Sequence, residues 1–272
     1  MSPNTNPNVK FYDTIARFYD AENAQMNDDL ALYVELAEDT GGPVLDVGCG
    51  TGRVMLHLAE ELIDESLRVV GVDNSEAMLA RGWRRLDALI ETMPDLKGLV
   101  TFVQGDALKV ALEERFKLII VPYNGFMHFK TQPDQLTALR HFHSLLADDG
   151  LLVLDLPNAG EAFATADDAS LTLERMFTEP ESGHLVMQQS MSTIDRVAQQ
   201  LHVTWIYDEI MDDSAVHRTL APLVLRYVFP GEMDLLLAAT GFEAVTTYGD
   251  YFQEPFEDGC ERMIVVAGKA SA

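Results

Sequence analysis

Between Val44 and Arg53 the chain reads Val-Leu-Asp-Val-Gly-Cys-Gly-Thr-Gly-Arg, an apolar run that breaks into glycine at every second position. A helical pattern from Val54 to Leu62 follows at once. The segment predicts a strand, a tight turn and a helix. Glycine serves such a turn in two ways. It adopts backbone angles closed to other residues, and it lets a ligand lie against bare main chain. The helix beyond begins with N–H groups that no helical carbonyl takes up. The turn is therefore a seat for a nucleotide-like ligand.

Spacing narrows the choice of ligand. The dinucleotide fingerprint is G-x-G-x-x-G. Here Gly48, Gly50 and Gly52 place the third glycine one position early. Asp46, inside the strand end, repels a pyrophosphate but suits a ligand carrying an ammonium and a sulfonium. In these residues the chain resembles the class I S-adenosylmethionine-dependent methyltransferases. Their first motif is an acidic residue followed by G-x-G-x-G. The resemblance implies S-adenosyl-L-methionine as cofactor.

At 272 residues the chain is long enough for one large domain, or one domain with an insertion. Its 44 Asp and Glu against 19 Lys and Arg give a formal net charge of −25. Such a surface repels nucleic acid and anionic membranes, because phosphate binding needs cations to replace counterions. No apolar run approaches the roughly 20 residues that cross a bilayer. Met1–Asn8 is polar, lacks the parts of a signal peptide and reads as a tail. Neither cysteine, Cys49 or Cys260, belongs to a C-x-x-C pair or to zinc-ligand spacing. A cytoplasmic, reduced setting and no metal are the expectation.

Periodicity predicts two amphipathic helices over about residues 8–40, stopped by Gly41-Gly42-Pro43. Apolar strands are expected at Val44–Val47, Arg68–Asp73, Leu99–Val103, Phe116–Val121 and Leu151–Leu156. Helices alternate with them, one capped by Ser75 and one over about Pro133–Leu146. Asp148-Asp149-Gly150 reads as the turn before the fifth strand. This pattern predicts an α/β fold with a parallel sheet covered on both faces. Residues 171–229 alternate instead, most clearly at His202–Tyr207 and Leu223–Phe229, and read as antiparallel β-structure. A helix at Met233–Ala239 and strands at Ala244–Tyr248 and Arg262–Ala267 close the chain. The resemblance implies a Rossmann-like seven-stranded sheet, mostly parallel with one reversed strand, helices on both faces, and an antiparallel β insertion after the fifth strand. The expected units are an N-terminal helical lid over 1–40, a cofactor-binding core over 41–157 and 230–272, and a β-rich insertion over 158–229. An insertion at this point resembles the nucleotide-sugar N,N-dimethyltransferases and glycine N-methyltransferase, in which it roofs the acceptor site.

Three acids end consecutive strands, at the edge where open α/β sheets bind ligands. Asp46 and the backbone of Gly48, Cys49 and Gly50 are expected to meet the cofactor. Asp73 suits a ribose diol, and Asn74 follows it. The resemblance assigns Asp106 to the adenine amino group and the Ala107 N–H to a ring nitrogen, although Asp106 also suits a turn. Met78 reads as packing against adenine or as core. Tyr123 and Asn124, after the fourth strand, are placed within reach of the cofactor's methionine portion. His128 is a candidate base or orienting donor, or a structural histidine. Residues 11–20 resemble the N-terminal lid of small-molecule methyltransferases. Tyr12 and Tyr19, two helical turns apart, face one way there; Tyr19 is also a candidate catalytic residue, and Tyr12 touches both cofactor and acceptor. Arg226, with Tyr227 and Tyr251, is expected on or near the roof, holding an acidic acceptor or sitting in a salt bridge.

Methyl transfer from a sulfonium is an in-line displacement that needs alignment and desolvation, and a base only for some acceptors. The expected activity is S-adenosylmethionine-dependent methylation of a small molecule, an amine before a hydroxyl. A protein that binds the cofactor without turnover, and a reductase using NAD(P), are the alternatives. The expected partner is the small-molecule methyl acceptor, with a homodimer as an option.

Overall fold

The apolar runs form the middle of a seven-stranded sheet. In the computed structural model, which describes residues 7–63, 67–162 and 170–271, β1 (Val44–Val47), β2 (Val69–Asp73), β3 (Val100–Gln104), β4 (Phe116–Val121) and β5 (Leu146–Pro157) pair in parallel. Every residue of β1 is buried. Strands covered on both faces have no solvent side, which is why the sequence shows continuous apolar runs rather than alternation. A second sheet follows, built of β6 (Thr172–Thr178), β7 (Leu185–Asp195), β8 (Gln200–Ile210) and β9 (Val216–Arg226), antiparallel in that spatial order. The chain then returns to the first sheet through β10 (Phe242–Tyr248) and β11 (Arg262–Lys269). The spatial order is β10-β11-β5-β4-β1-β2-β3, and β11 is the reversed strand, antiparallel to both neighbours. The expected architecture is thus the one observed.

Helices α1 (Pro7–Glu22), α2 (Leu30–Thr40), α3 (Arg53–Glu61), α4 (Glu76–Thr92), α5 (Gln132–Leu145), α6 (Ala159–Ala162) and α7 (Pro230–Ala238) connect or cover the strands. Alternate residues of the central strands face opposite ways. Val44, Val69, Ile120 and Val153 pack with α2, α3 and α4, while Leu45, Val70, Ile119 and Leu152 pack with α5 and α7. Ser75 caps α4 as expected, its hydroxyl accepting the Met78 N–H at 3.2 Å. Helix α1 belongs to neither layer. Its Phe11, Ile15 and Phe18 pack under the second sheet against Val186, Tyr207 and Leu223. Burying each such side chain contributes about 1.5–3 kcal/mol, so this helix is held to the sheet above it.

Three expectations need correction. The tail read over Met1–Asn8 lies mostly outside the described residues, but Pro7 opens α1 and Asn8 is buried. Asn8 is polar yet bonds to the second sheet, a partner more than 200 residues away that local composition cannot reveal. Asp148-Asp149-Gly150 is not a turn outside the sheet. It lies at a register irregularity within β5, since Phe116 and Leu118 of β4 pair with Leu146 and Leu151. Tyr227–Phe229 leave β9 at Arg226, ahead of the proline that starts α7. No helix among the described residues is long and apolar enough to cross a membrane.

Candidate active site

The strand order reverses between β1 and β4, the position where open α/β sheets leave a crevice at their carboxyl ends. The glycine turn fills one side of it. The N–H groups of Gly48 and Cys49 donate to the Val72 carbonyl at 2.8 and 3.2 Å, tying the turn to β2. Gly48, Gly50 and Gly52 have φ of +77°, +56° and +82°, a region that L side chains avoid. A Cβ on Gly48 would meet nothing within 4 Å, so the main chain there faces open space. A Cβ on Gly52 would strike the Phe102 ring at 2.7 Å. The Cys49 thiol packs over Gly71, where a Cβ would lie 2.7 Å from its sulfur.

Asp73 fastens this turn to the next one. Its Oδ2 accepts the Gly50 N–H at 2.9 Å and its Oδ1 accepts the Ser75 N–H at 2.8 Å. Asp46 is different. It is 1% exposed, and its Oδ1 has no hydrogen-bond partner. Burial pushes its carboxyl up to about 7, with Arg53 opposing the shift and Asp73 adding to it.

A cavity of about 310 Å³ opens from these residues, a volume within the small-ligand range. Asp46, Gly48, Cys49, Gly50, Asp73, Asn74 and Met78 line it on one side. Gly105, Ala107, Tyr123 and Asn124 continue the wall from the ends of β3 and β4. Trp205, Leu223 and Leu225 close it from the second sheet. Helix α1 closes the remainder with Tyr12, Tyr19 and Glu22. The two tyrosine rings meet edge to face at 6.2 Å. Polar ties hold the helix down. The Ser75 hydroxyl donates to Asp13 at 2.6 Å, the Thr51 hydroxyl donates to Asp20 at 2.6 Å, and Arg81 pairs with Asp20 at 3.3 Å.

His128 lies at the meeting of α1, the loop after β4 and the second sheet. Its Nε2 is 3.1 Å from the Tyr12 hydroxyl, and its Nδ1 is 3.2 Å from the Asn8 amide nitrogen. Burial, reinforced by the Lys130 charge, pushes the imidazole down to about 4. The ring is neutral at pH 7, and both of its nitrogens are engaged.

The loop from Pro122 to Phe129 is anchored from below by Asp155, a fully buried acid on β5. Its Oδ2 accepts the Tyr123 N–H at 3.0 Å and the hydroxyls of Tyr33 and Tyr251 at 3.3 and 3.1 Å. Its Oδ1 accepts Arg262 Nε at 3.0 Å, and the same guanidinium reaches Asn124 Oδ1 at 3.1 Å. Tyr123 and Asn124 are thereby held at φ of +39° and +66°, an uncommon conformation for residues with side chains. Asp155, Arg262, Glu22 and Asn8 were not singled out by sequence reasoning. Asp155 alone left a signal there, as an acid interrupting the apolar run of β5.

Two expected site residues stand apart from the cavity. Asp106 does not line it; its Oδ1 accepts the Leu108 N–H at 3.0 Å, and Lys109 pairs with it at 3.5 Å. It occupies a turn, as an Asp at such a position can. Arg226 is 5% exposed and does not line the cavity. It donates to Glu232 at 2.7 Å, to Gln135 at 2.6 Å and to Gln199 at 3.3 Å. Of the two expectations for Arg226, the structure shows the salt bridge, made to Glu232 at the root of α7. Tyr227 is buried in the core, and Tyr251 belongs to the Asp155 network.

Known proteins agree with this architecture. Residues 44–150 match the family model described as a methyltransferase domain. The chain is similar to a glycine/sarcosine N-methyltransferase of Aphanothece halophytica, at 27% identity over 91% of this chain and 84% of that protein. It is similar to a cypemycin N-terminal methyltransferase of a Streptomyces species, at 26% identity over 96% of this chain and 98% of the other. Among solved structures, the CcbJ methyltransferase from Streptomyces caelestis superposes with a TM-score of 0.74, at 25% identity over 89% of this chain and 96% of that one. Residues 44–150 are thus a methyltransferase domain, and these similarities support a class I S-adenosylmethionine-dependent methyltransferase with S-adenosylmethionine as its cofactor. The cavity fits that molecule. The unpartnered Asp46 oxygen suits an ammonium group, and the bare main chain at Gly48 leaves room for a ligand to approach.

Proposed function

We propose that this chain methylates an amine nitrogen of a small molecule. The observation that carries this reading is the chemistry of the cavity wall. The carboxylates of Glu22, Asp46 and Asp73 face it, and the guanidinium that lines it, Arg53, is held by Asp29 through two bonds of 2.6 Å. The imidazole that lines it, His128, is neutral and engaged at both nitrogens. A hydroxyl acceptor needs a base, whereas an amine with a free lone pair needs only alignment and exclusion of water. Two of the relatives described above are N-methyltransferases or N-terminal methyltransferases by name.

Within this reading Asp46 holds the cofactor's ammonium, Asp73 takes the ribose diol, and Met78 with Ala107 flanks the adenine. Asp106 supports that edge through the Leu108 N–H. Tyr12 and Tyr19 close the lid, 1–40, over the core, 41–157 and 230–272, and the insertion, 158–229, roofs the acceptor. Bound, the cofactor supplies a methyl group activated by a cationic sulfur; the protein's own residues orient the two reactants and keep water out.

Paired acceptors test the proposal. The enzyme is incubated with methyl-labelled S-adenosylmethionine and either glucosamine or glucose, then either glycine or glycolate, and products are weighed by mass spectrometry. Label on an amine partner alone is expected. Label on the hydroxyl partners, with none on the amines, overturns the reading.

A further inference from the structure

The orientation of the Asn8 side chain is fixed by its own partners. β9 is the edge strand of the second sheet, and Asn8 takes up both main-chain groups of Val224 there. Its Nδ2 donates to the Val224 carbonyl at 2.8 Å, and its Oδ1 accepts the Val224 N–H at 3.3 Å. A flipped amide would set two donors and two acceptors against each other, so the nitrogen must be the atom facing His128. That nitrogen lies 3.2 Å from His128 Nδ1. An amide nitrogen only donates, so Nδ1 must carry the lone pair. In a neutral imidazole the proton then sits on Nε2, which is 3.1 Å from the Tyr12 hydroxyl. Nε2 donates, the Tyr12 oxygen accepts, and the Tyr12 proton is left to point elsewhere. Tyr12 lines the cavity.

We propose that Asn8 is a positioning residue that holds His128 as its Nε2–H tautomer, so that Tyr12 presents its hydroxyl proton to a ligand oxygen in the cavity. The cofactor's carboxylate supplies an oxygen of the right kind. His128 does not act as a base in this arrangement, because its one lone pair faces Asn8. The chain of contacts links the start of α1, the loop after β4 and the edge of the second sheet. The donor is therefore correctly aimed only when α1 is docked. This inference rests on the cofactor assignment only in naming the ligand oxygen; the tautomer follows from the protein alone.

Ring-nitrogen NMR on protein labelled with ¹⁵N-histidine tests the first part, with His128→Gln identifying the resonances. The wild-type spectrum at pH 7 is expected to show an unprotonated Nδ1 and a protonated Nε2. A protonated Nδ1 in the wild type overturns the proposal without any variant having to fold. Asn8→Asp sets an acceptor against Nδ1, and should move the proton there or charge the ring. An unchanged spectrum in that variant also overturns it. Tyr12→Phe should keep the His128 tautomer and weaken S-adenosylhomocysteine binding about tenfold by calorimetry, the worth of one hydrogen bond to a charged group. Undiminished affinity removes the donor role of Tyr12. Failure of S-adenosylhomocysteine to bind the wild type at all would instead strike the cofactor assignment, and the spectrum would still decide the tautomer.

Discussion

The backbone N–H of Gly50 points at the carboxylate of Asp73 across 2.9 Å, joining the glycine turn after β1 to the end of β2. One side chain thus sets the shape of the turn as well as the chemistry beside it. Asp73→Asn keeps the size but turns one acceptor into a donor. Calorimetry with S-adenosylhomocysteine should show at least a tenfold loss of affinity, and urea unfolding a stability loss of about 1–3 kcal/mol from the N–H left unmatched. Equal affinity in the variant removes Asp73 from the cofactor site.

Asp46 predicts a pH dependence. Burial raises its folded carboxyl to about 7, above the unfolded value of about 3.9. The unfolded chain therefore loses this proton first, and the ligand-free protein loses stability as pH rises from about 4 to about 7. Cofactor affinity runs the other way, since only the ionised carboxylate pairs with an ammonium. It should climb through pH 7 in the wild type. Asp46→Asn should abolish the climb and lower affinity at pH 8, while making the ligand-free protein more resistant to urea at that pH. A wild-type affinity flat between pH 6 and 8 would be evidence against the pairing.

Asp155 should matter through the loop it holds. Asp155→Asn leaves the half-buried Arg262 without its anion, a change bounded by the about 3–5 kcal/mol that breaking a fully buried pair costs. The Tyr123–Asn124 segment, held in its uncommon backbone conformation by this network, should become a site of early proteolysis. An unaltered melting temperature and digestion pattern would show that the network does not support the loop.

Arg226→Met separates a structural from a substrate role. Arg226 is buried and Glu232 half-buried, so loss of the pair should destabilise the fold, by up to about 3 kcal/mol. At a temperature where the variant is folded, the KM for the acceptor should match the wild type. A raised KM with unchanged stability would return Arg226 to the acceptor site.

Local pattern made the sheet legible. β1 and β4 fall at the expected residues because a strand covered on both faces writes itself as an unbroken apolar run. The glycine turn and the acids at the ends of β1 and β2 were legible because each sits in a short local pattern, although Asp73 meets Gly50 from 23 residues away. The rest of the site is assembled from distant pieces. Asn8 meets Val224, Tyr12 meets His128, and Tyr33, Tyr251 and Arg262 converge on Asp155. No periodicity marks such contacts. Arg226 shows the opposite failure, for a guanidinium that suits an anionic acceptor suits Glu232 as well, and only burial decides between them.

Helix α1 walls the cavity on the side where the glycine turn and the second sheet meet. The helix is already docked, by Phe11, Ile15 and Phe18 under the second sheet and by the Ser75–Asp13 and Thr51–Asp20 bonds. Neither reactant has to order it, so this wall costs neither of them conformational freedom on binding.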